Sequence, residues 1–223
     1  MSLTVYLAGP GVFYPDAQSL AQTQKAVCCL YGFTPLHPAD LPAESPSATM
    51  IYRSNVDMIR RADALLADLD PFRGPEADPG TAFEIGFAVA LGKPVVGYLS
   101  SSANAKERVA RWYGPVARCP RVVDQVVWRD RDENLVEDFG HPANLMLAEA
   151  CTTIVVGGLE PALRWRFLLF QHYSAQIEER GAEGAGTRPE RFVVDSWFFD
   201  NGHPAAVMPL AAWMAGEGPD GDY

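Results

Sequence analysis

Short continuous apolar runs alternate along the chain with longer segments whose apolar residues recur every three or four positions. The apolar runs predict buried strands, at residues 3–8, 63–69 and 93–99. The periodic segments predict helices, at residues 16–32, 49–62 and 81–92. This alternation is typical of an α/β fold, a parallel sheet covered by helices, whose ligand site lies beyond the carboxyl ends of its strands.

The remaining segments predict connections and a C-terminal extension. Four prolines make residues 33–47 an extended surface loop, and "RDENLVEDFGHP" at 131–142 a polar one. "RVVDQVVWRD" predicts a strand, and "ANLMLAEACTTIVVGG" at 143–158 a helix that closes the domain. Residues 160–181 predict a long amphipathic helix followed by a flexible linker at 182–190; the last 33 residues match no pattern. We expect a catalytic domain at 1–163 and an extension of unknown role at 164–223.

Composition narrows the class of function. The 223 residues are 48% hydrophobic and 21% charged, as in an ordinary globular protein. The net charge of -10 disfavours nucleic-acid binding, because a phosphate backbone needs a basic surface. We see no signal peptide and no apolar run long enough for a membrane span. The four cysteines and four histidines lack metal-binding spacings. We therefore expect a cytoplasmic protein with a small-molecule substrate and no metal.

Glu84 is the one charge in the predicted helix "TAFEIGFAVALG". Its neighbours at helical spacing are small or apolar, namely Gly80, Phe87, Ala88 and Leu91. A carboxylate on such a face is partly desolvated, which is costly unless the group is paired or used. One interpretation is a first-turn glutamate that favours the helix dipole. The other is a functional carboxylate, with a ligand beside the small residues.

Four other polar residues are candidates for the same site. Asp78 before Pro79 is a helix N-cap, which leaves room for a ligand contact. Tyr6 lies in a predicted buried strand, where a tyrosine is ordinarily a core residue. Asn55 and Asp57 share a predicted helix; Asp57 has arginines three and four residues later, which predicts a surface ion pair.

Taken together, three stretches resemble the nucleoside 2-deoxyribosyltransferase family over residues 3–163. They are "VYLAGPGVFYPDA", the D-x-G-T-A-x-E-x-G-x-A-x-x-x-G-K-P core from Asp78 to Pro94, and "VEDFGHPANLML". The resemblance implies a flavodoxin-like (Rossmann-like) parallel sheet. It also implies transfer of 2-deoxyribose between nucleobases, with a nucleoside and a free nucleobase as ligands and neither a metal nor an organic cofactor.

The resemblance also assigns roles. It makes Glu84 the catalytic nucleophile and Tyr6 the residue that positions it. It makes Asp78 a sugar-binding residue. It sends Asn144 to the sugar hydroxyl in a neighbouring subunit's site, which implies a homo-oligomer with shared active sites. The remaining expected substrate-binding residues are Gly9, Pro10, Phe13 and Gly80.

The sequence departs from the family pattern at Asn55 and at Gly11. Many relatives carry an aspartate eight residues before the aspartate that opens the second strand, here Asp63, and this position is Asn55. An amide can bond a base but cannot protonate it, so we assign Asn55 to base binding. Asp57 is then the candidate for the acid, and the alternative is that no residue protonates the base. Gly11 stands where relatives often have an acidic residue.

A carboxylate nucleophile predicts a retaining, ping-pong exchange through a covalent glycosyl-enzyme. With the sugar that the resemblance implies, this intermediate is a deoxyribosyl-glutamate. A nucleoside 5'-monophosphate N-glycosidase remains an alternative, with its phosphate at Ser100–Ser102. A nucleotide-sensing domain whose extension binds a partner is another. A sensor has no need of a nucleophile, so the presence of Tyr6, Asp78 and Glu84 together favours an enzyme.

Overall fold

The computed structural model describes residues 2–40, 46–120 and 126–164, and the backbone of two later strands. The described strands are β1 (Leu3–Ala8), β2 (Phe33–Leu36), β3 (Ala64–Asp68), β4 (Val95–Leu99), β5 (Ala117–Pro120), β6 (Val126–Arg129), β7 (Leu135–Val136), β8 (Thr153–Val156), β9 (Phe192–Asp195) and β10 (Met208–Pro209). The described helices are α1 (Ala17–Leu30), α2 (Ala48–Arg61), α3 (Pro79–Ala90), α4 (Ala105–Tyr113) and α5 (Leu145–Ala150), with a short 3-10 helix at Pro10–Phe13. Residues 159–164 are also helical.

The main sheet has the order β10-β9-β8-β4-β3-β1-β2. All neighbours from β2 to β9 are parallel, and β10 is antiparallel to β9. The five strands β2-β1-β3-β4-β8 form the doubly wound order of a flavodoxin-like sheet. This confirms the predicted α/β class.

Alternation along the strands divides the core between the two faces of the sheet. Tyr6 and Leu65 pack with Ile59 of α2 and Ile85 of α3 on one face. On the other face the core includes Val5, Leu66, Cys28, Tyr98 and Leu163. The register pairs Tyr6 with Leu65 and Ala8 with Ala67, so β1 and β3 end side by side. Tyr6 therefore faces the same layer as α3, the helix that carries Glu84.

The predicted loop at 33–47 contains the strand β2, so that prediction was wrong at its start. Because β2 is the last strand of the sheet, Pro35 can lie within it without breaking a ladder on its outer side. The loop predicted at 131–142 likewise contains β7, which pairs with β6 in a small antiparallel sheet. The strand predicted around residue 126 is present as β6.

The single helix predicted at 143–158 was also wrong. The chain forms the short helix α5 and then the strand β8. The β-branched run from Thr152 to Val156 favours a strand, and nothing like Gly or Pro separates it from the helical residues. Strand β9 extends the sheet beside β8, from within the predicted extension. The helix predicted at 160–181 is described only as far as residue 164, and the linker at 182–190 lies outside the described residues.

Candidate active site

Three elements bring a tyrosine, an asparagine and a glutamate together. The Tyr6 hydroxyl of β1 donates to Oε1 of Glu84 at 2.6 Å. Nδ2 of Asn55, on α2, donates to the same oxygen at 3.3 Å. Glu84 is only 8% exposed. The carboxylate that the sequence singled out is therefore buried and hydrogen-bonded, as the apolar helix face predicted.

The two oxygens of the Glu84 carboxylate differ. Oε1 accepts both hydrogen bonds, and Oε2 accepts none from the described residues. Two donors on one oxygen fix the orientation of the carboxylate and leave the other oxygen with its lone pairs available. Oε2 is thus the atom that can attack a substrate.

Burial sets the protonation state of this pair. It raises the pKa of Glu84 to about 7, against the hydrogen bond from Tyr6, which lowers it. The negative charge of Asp78 also raises this pKa, and the hydrogen bond from Asn55 lowers it. Burial and the charge of Glu84 raise the pKa of Tyr6 as well, so the phenol stays a neutral donor.

Asp78 caps the helix that carries Glu84. Its Oδ2 accepts from the backbone N–H of Thr81 at 2.9 Å and from the Thr81 hydroxyl at 3.4 Å. Its Oδ1 accepts no hydrogen bond from the described residues and can take a substrate hydroxyl. Gly80 makes this arrangement possible, because a Cβ there would lie 2.8 Å from Oδ2 of Asp78. Gly80 therefore leaves room for the Asp78 carboxylate to cap the helix. A direct contact between Gly80 and a substrate stays a prediction.

The loop after β1 contains the other predicted binding residues. A Cβ on Gly9 would lie 2.9 Å from Cβ of Asp68, so this glycine lets the loop pass close to the end of β3. Pro10 is buried at the start of the 3-10 helix. Phe13 ends that helix with its side chain 53% exposed. Substrate contacts of Gly9, Pro10 and Phe13 stay predictions.

Asn55 and Asp57 both belong to helix α2 but have different surroundings. Asn55 faces Glu84, and its Oδ1 is a buried acceptor with no partner among the described residues. Such an acceptor is costly unless a ligand or an ordered water donates to it. Asp57 is exposed and pairs with Arg61 at 2.9 Å, the ion pair that its spacing predicted.

Another carboxylate is close in sequence but lies on the other face of the sheet. Burial raises the pKa of Asp68, at the end of β3, to about 6. The strand register pairs Asp68 with Tyr98, which belongs to the core on the Leu66 side. Asp68 therefore lies on the opposite face of the sheet from the layer of Tyr6 and Glu84.

Asn144 caps α5 in its own chain. Its Oδ1 accepts from the N–H of Met146 at 3.0 Å, and its Nδ2 donates to Oε1 of Glu137 at 3.0 Å. Oε2 of Glu137 accepts from the N–H of Leu145 at 2.9 Å. Among the described residues Asn144 has no hydrogen bond to Glu84, and its role in a neighbouring subunit stays a prediction.

Sequence analysis missed the arginine that holds the loop between β3 and α3. Arg108 of α4 is 5% exposed, and its Nε donates to the carbonyl of Pro75 at 2.9 Å. Its Nη1 donates to the carbonyl of Ala103 at 3.0 Å, and its Nη2 lies 3.4 Å from Glu76. These contacts fix the loop just before Asp78. No local sequence pattern reveals the contacts with Pro75 and Glu76, since these residues lie more than 30 positions from Arg108.

The serine turn after β4 is already occupied. Oδ1 of Asp70 accepts from both the N–H and the hydroxyl of Ser100, each at 2.8 Å. The hydroxyl of Ser101 accepts from the N–H of Ala103 at 3.2 Å. The donors of Ser100 that a phosphate would need thus point at a carboxylate.

Metal sites and membrane spans are both absent from the described residues. These residues contain no group of three or more histidine, cysteine, aspartate or glutamate side chains placed to hold a metal. They also contain no helix with the length and apolar character needed to cross a membrane.

Comparison with known proteins identifies the family. The family model described as nucleoside 2-deoxyribosyltransferase matches residues 5–146, well over half of the chain. The chain belongs to this family. The match confirms the resemblance, and its range includes the hydrogen-bonded group of Tyr6, Asn55 and Glu84.

Individual relatives agree in different degrees. A 2-desoxiribosyltransferase from Leishmania mexicana has 33% identity and a TM-score of 0.55, covering 80% of this chain and 99% of that one. An uncharacterized protein of Schizosaccharomyces pombe is 36% identical over 113 residues, 47% of this chain and 54% of that protein. The chain therefore spans about half the length of this curated relative. A CMP N-glycosidase from Clostridium botulinum has 22% identity and a TM-score of 0.33, covering 43% of this chain and 71% of that one. That likeness is too low to bear on activity.

Proposed function

We propose that this protein is a nucleoside 2-deoxyribosyltransferase that exchanges the base of a 2'-deoxyribonucleoside through a covalent deoxyribosyl-glutamate. The observation that carries the proposal is the buried Glu84, whose Oε1 is held by Tyr6 and Asn55 while Oε2 stays free. A carboxylate oriented in this way suits attack on an anomeric carbon.

The reaction has two displacement steps. Oε2 of Glu84 attacks C1' of the nucleoside, the C1'–N bond breaks, and its electron pair leaves with the base. A second base then attacks C1' through a ring nitrogen, the bond between C1' and Oε2 of Glu84 breaks, and the incoming base loses its N–H proton to solvent. Two inversions give net retention, and water in place of the second base would give hydrolysis.

The other residues of the site bind the nucleoside. Asp78 accepts a sugar hydroxyl on Oδ1, and Asn55 bonds the base. Neither Tyr6 nor Asn55 is an acid at neutral pH, so the leaving base is stabilised by hydrogen bonds and takes its proton from solvent.

A nucleoside fits better than a nucleotide. The alternative N-glycosidase would need a 5'-phosphate site, and the candidate donors of Ser100 already bond Asp70. A phosphate there would meet the Asp70 carboxylate, which repels it. We therefore place the 5'-monophosphate second as a substrate.

We further propose a cytoplasmic homo-oligomer in which Asn144 completes a neighbour's site. Cys28, Cys29 and Cys119 are free thiols, as is usual in a reducing compartment. In this proposal residues 1–163 are the catalytic domain and residues 164–223 an extension.

The test is incubation with deoxyinosine and adenine, followed by chromatography of free and exchanged bases. We expect deoxyadenosine and hypoxanthine from the wild-type protein and neither from Glu84→Ala. Hypoxanthine and deoxyribose without deoxyadenosine would instead show a hydrolase. Exchange by Glu84→Ala near the wild-type rate would remove Glu84 from the chemistry.

A further inference from the structure

Two aromatic rings form an exposed shelf at the carboxyl edge of the sheet. Phe13, from the loop after β1, and Phe72, from the loop after β3, are stacked with centroids 5.5 Å apart and planes inclined by 19°. Tyr14 meets the edge of Phe72 at 6.0 Å. About half of the Phe13 side chain remains open to solvent. The open face of Phe13 is an apolar surface suited to a planar ring.

Arg73 lies over this shelf. Its Cζ is 5.1 Å from the Phe13 centroid and 4.7 Å from the Phe72 centroid. Its backbone has φ of 56°, in the left-handed region that favours glycine. The turn is fixed around it, since the N–H of Phe72 donates to the carbonyl of Glu76 at 2.9 Å. The chain thus holds an arginine in an unfavourable conformation that packs its side chain on the two rings.

The guanidinium has donors to spare. Arg73 is exposed and forms no ion pair or hydrogen bond with any residue of the described part of the chain. A guanidinium packed on aromatic rings keeps its N–H groups at its edge, in a fixed fork. A base lying on the open face of Phe13 would present its own edge to that fork.

The chemistry of base edges selects one class. A 6-oxopurine presents two neighbouring acceptors, N7 and O6, which match a guanidinium in a bidentate pair. Adenine replaces O6 with a donating amino group, and thymine replaces N7 with a methyl-bearing carbon. We propose that Arg73 is a specificity-determining residue that binds the N7/O6 edge of a 6-oxopurine stacked on the open face of Phe13. The inference rests on the proposed function and adds to it a preference for deoxyinosine and deoxyguanosine.

The experiment compares kcat/KM for deoxyinosine, deoxyadenosine and deoxyinosine 5'-monophosphate in the wild type and in Arg73→Met. In a double displacement this ratio reports only the steps up to release of the first base, so the acceptor does not enter. We expect Arg73→Met to lose about tenfold more with deoxyinosine than with deoxyadenosine. Arg73→Lys, which keeps the charge without the fork, should lose most of the same selectivity.

Arg60→Met is the matched control, since Arg60 lies over the ring of Phe87, 5.5 Å from its centroid, on α2. It removes the same kind of contact away from the shelf and should leave the selectivity unchanged. Equal losses with deoxyinosine and deoxyadenosine would reduce Arg73 to a structural clamp and overturn the inference. A loss confined to the 5'-monophosphate would assign the guanidinium to a phosphate and also overturn it.

A binding measurement separates this inference from the proposed function. Calorimetric titration of hypoxanthine and adenine into the wild type and Arg73→Met requires no turnover. Selective loss of hypoxanthine binding in a protein that exchanges no bases would support Arg73 and refute the transferase. Base exchange without selective loss in either assay would do the reverse.

Discussion

At the scale of single residues, the proposed mechanism makes both activity and stability depend on the protonation of Glu84. Only the carboxylate can attack, and burial raises its pKa to about 7. We expect kcat/KM to rise with pH through about 7 and to level off above it. A profile that falls through this range would contradict the assignment, because it would require a protonated Glu84.

The same shift has the opposite sign for stability. The folded-state pKa lies above the ordinary value of 4.5, so the folded protein binds more protons than the unfolded chain between these values. The stabilisation that Glu84 contributes is present below pH 4.5 and is lost as the pH rises through about 7, by an amount on the order of 3 kcal/mol. Denaturation of Glu84→Gln at pH 5 and pH 8, compared with the wild type, measures it. We expect Glu84→Gln to gain stability relative to the wild type at pH 8.

Tyr6 supplies a third residue-scale prediction. Its hydrogen bond lowers the pKa of Glu84, so Tyr6→Phe should move the midpoint of the pH–rate profile to higher pH. Activity at pH 6 should fall more than activity at pH 9. A midpoint that stays in place would show that Tyr6 acts only as a packing residue.

At the scale of elements, helix α3 contains two glycines with different space around the position of a Cβ. A Cβ on Gly80 would collide with Oδ2 of Asp78, whereas a Cβ on Gly86 meets nothing within 4 Å. Gly80→Ala should displace the Asp78 cap, cost about 1 kcal/mol in the free energy of unfolding and weaken exchange. Gly86→Ala should be neutral or stabilise by about 0.5–1 kcal/mol. Thermal melts and kcat/KM of both variants test this prediction. Equal stability and equal kcat/KM in the two variants would show that Gly80 does not support the Asp78 cap.

Helix α2 tests the assignment of the base contact. Asn55 reaches Glu84, while Asp57 pairs with Arg61 in solvent. Asn55→Ala should therefore reduce exchange more than Asp57→Ala, whose surface ion pair is worth less than about 1 kcal/mol. If the rates fall in the reverse order, Asp57 rather than Asn55 serves the base.

The elements also show how far the sequence reaches. Strands β1, β3 and β4 and the three helices between them follow from local periodicity, and Glu84 stands out because its helix is otherwise apolar. Strand β8 is hidden because its β-branched residues continue from α5 without a Gly or Pro between them. The shelf of Phe13 and Phe72 joins loops some 60 residues apart, a contact that only the parallel register of β1 and β3 creates.

At the scale of the whole molecule, the role of Asn144 depends on a neighbouring subunit. Among the described residues of its own chain, Asn144 has no hydrogen bond to Glu84. It lies 60 positions after Glu84 and caps α5 beside the exposed Met146. If it enters a neighbour's site, Asn144→Ser should keep a cap oxygen for α5 but lose the reach to a sugar hydroxyl. Losing one such bond costs about 0.5–1.5 kcal/mol, which corresponds to a fall of roughly two- to tenfold in exchange.

Mixing variants then tests the shared site. A hybrid of Asn144→Ser with Glu84→Ala contains one site with an intact Glu84 from the first chain and an intact Asn144 from the second. After subunit exchange, confirmed by native mass measurement, that site should run at the wild-type rate, so the mixture should exceed the summed activity of its unmixed parents. The double variant, with Asn144→Ser and Glu84→Ala in the same chain, is the control, since no pairing of two such chains restores a complete site. If hybrids form and the activity only equals the sum of the parents, Asn144 serves its own chain, through the α5 cap and Glu137.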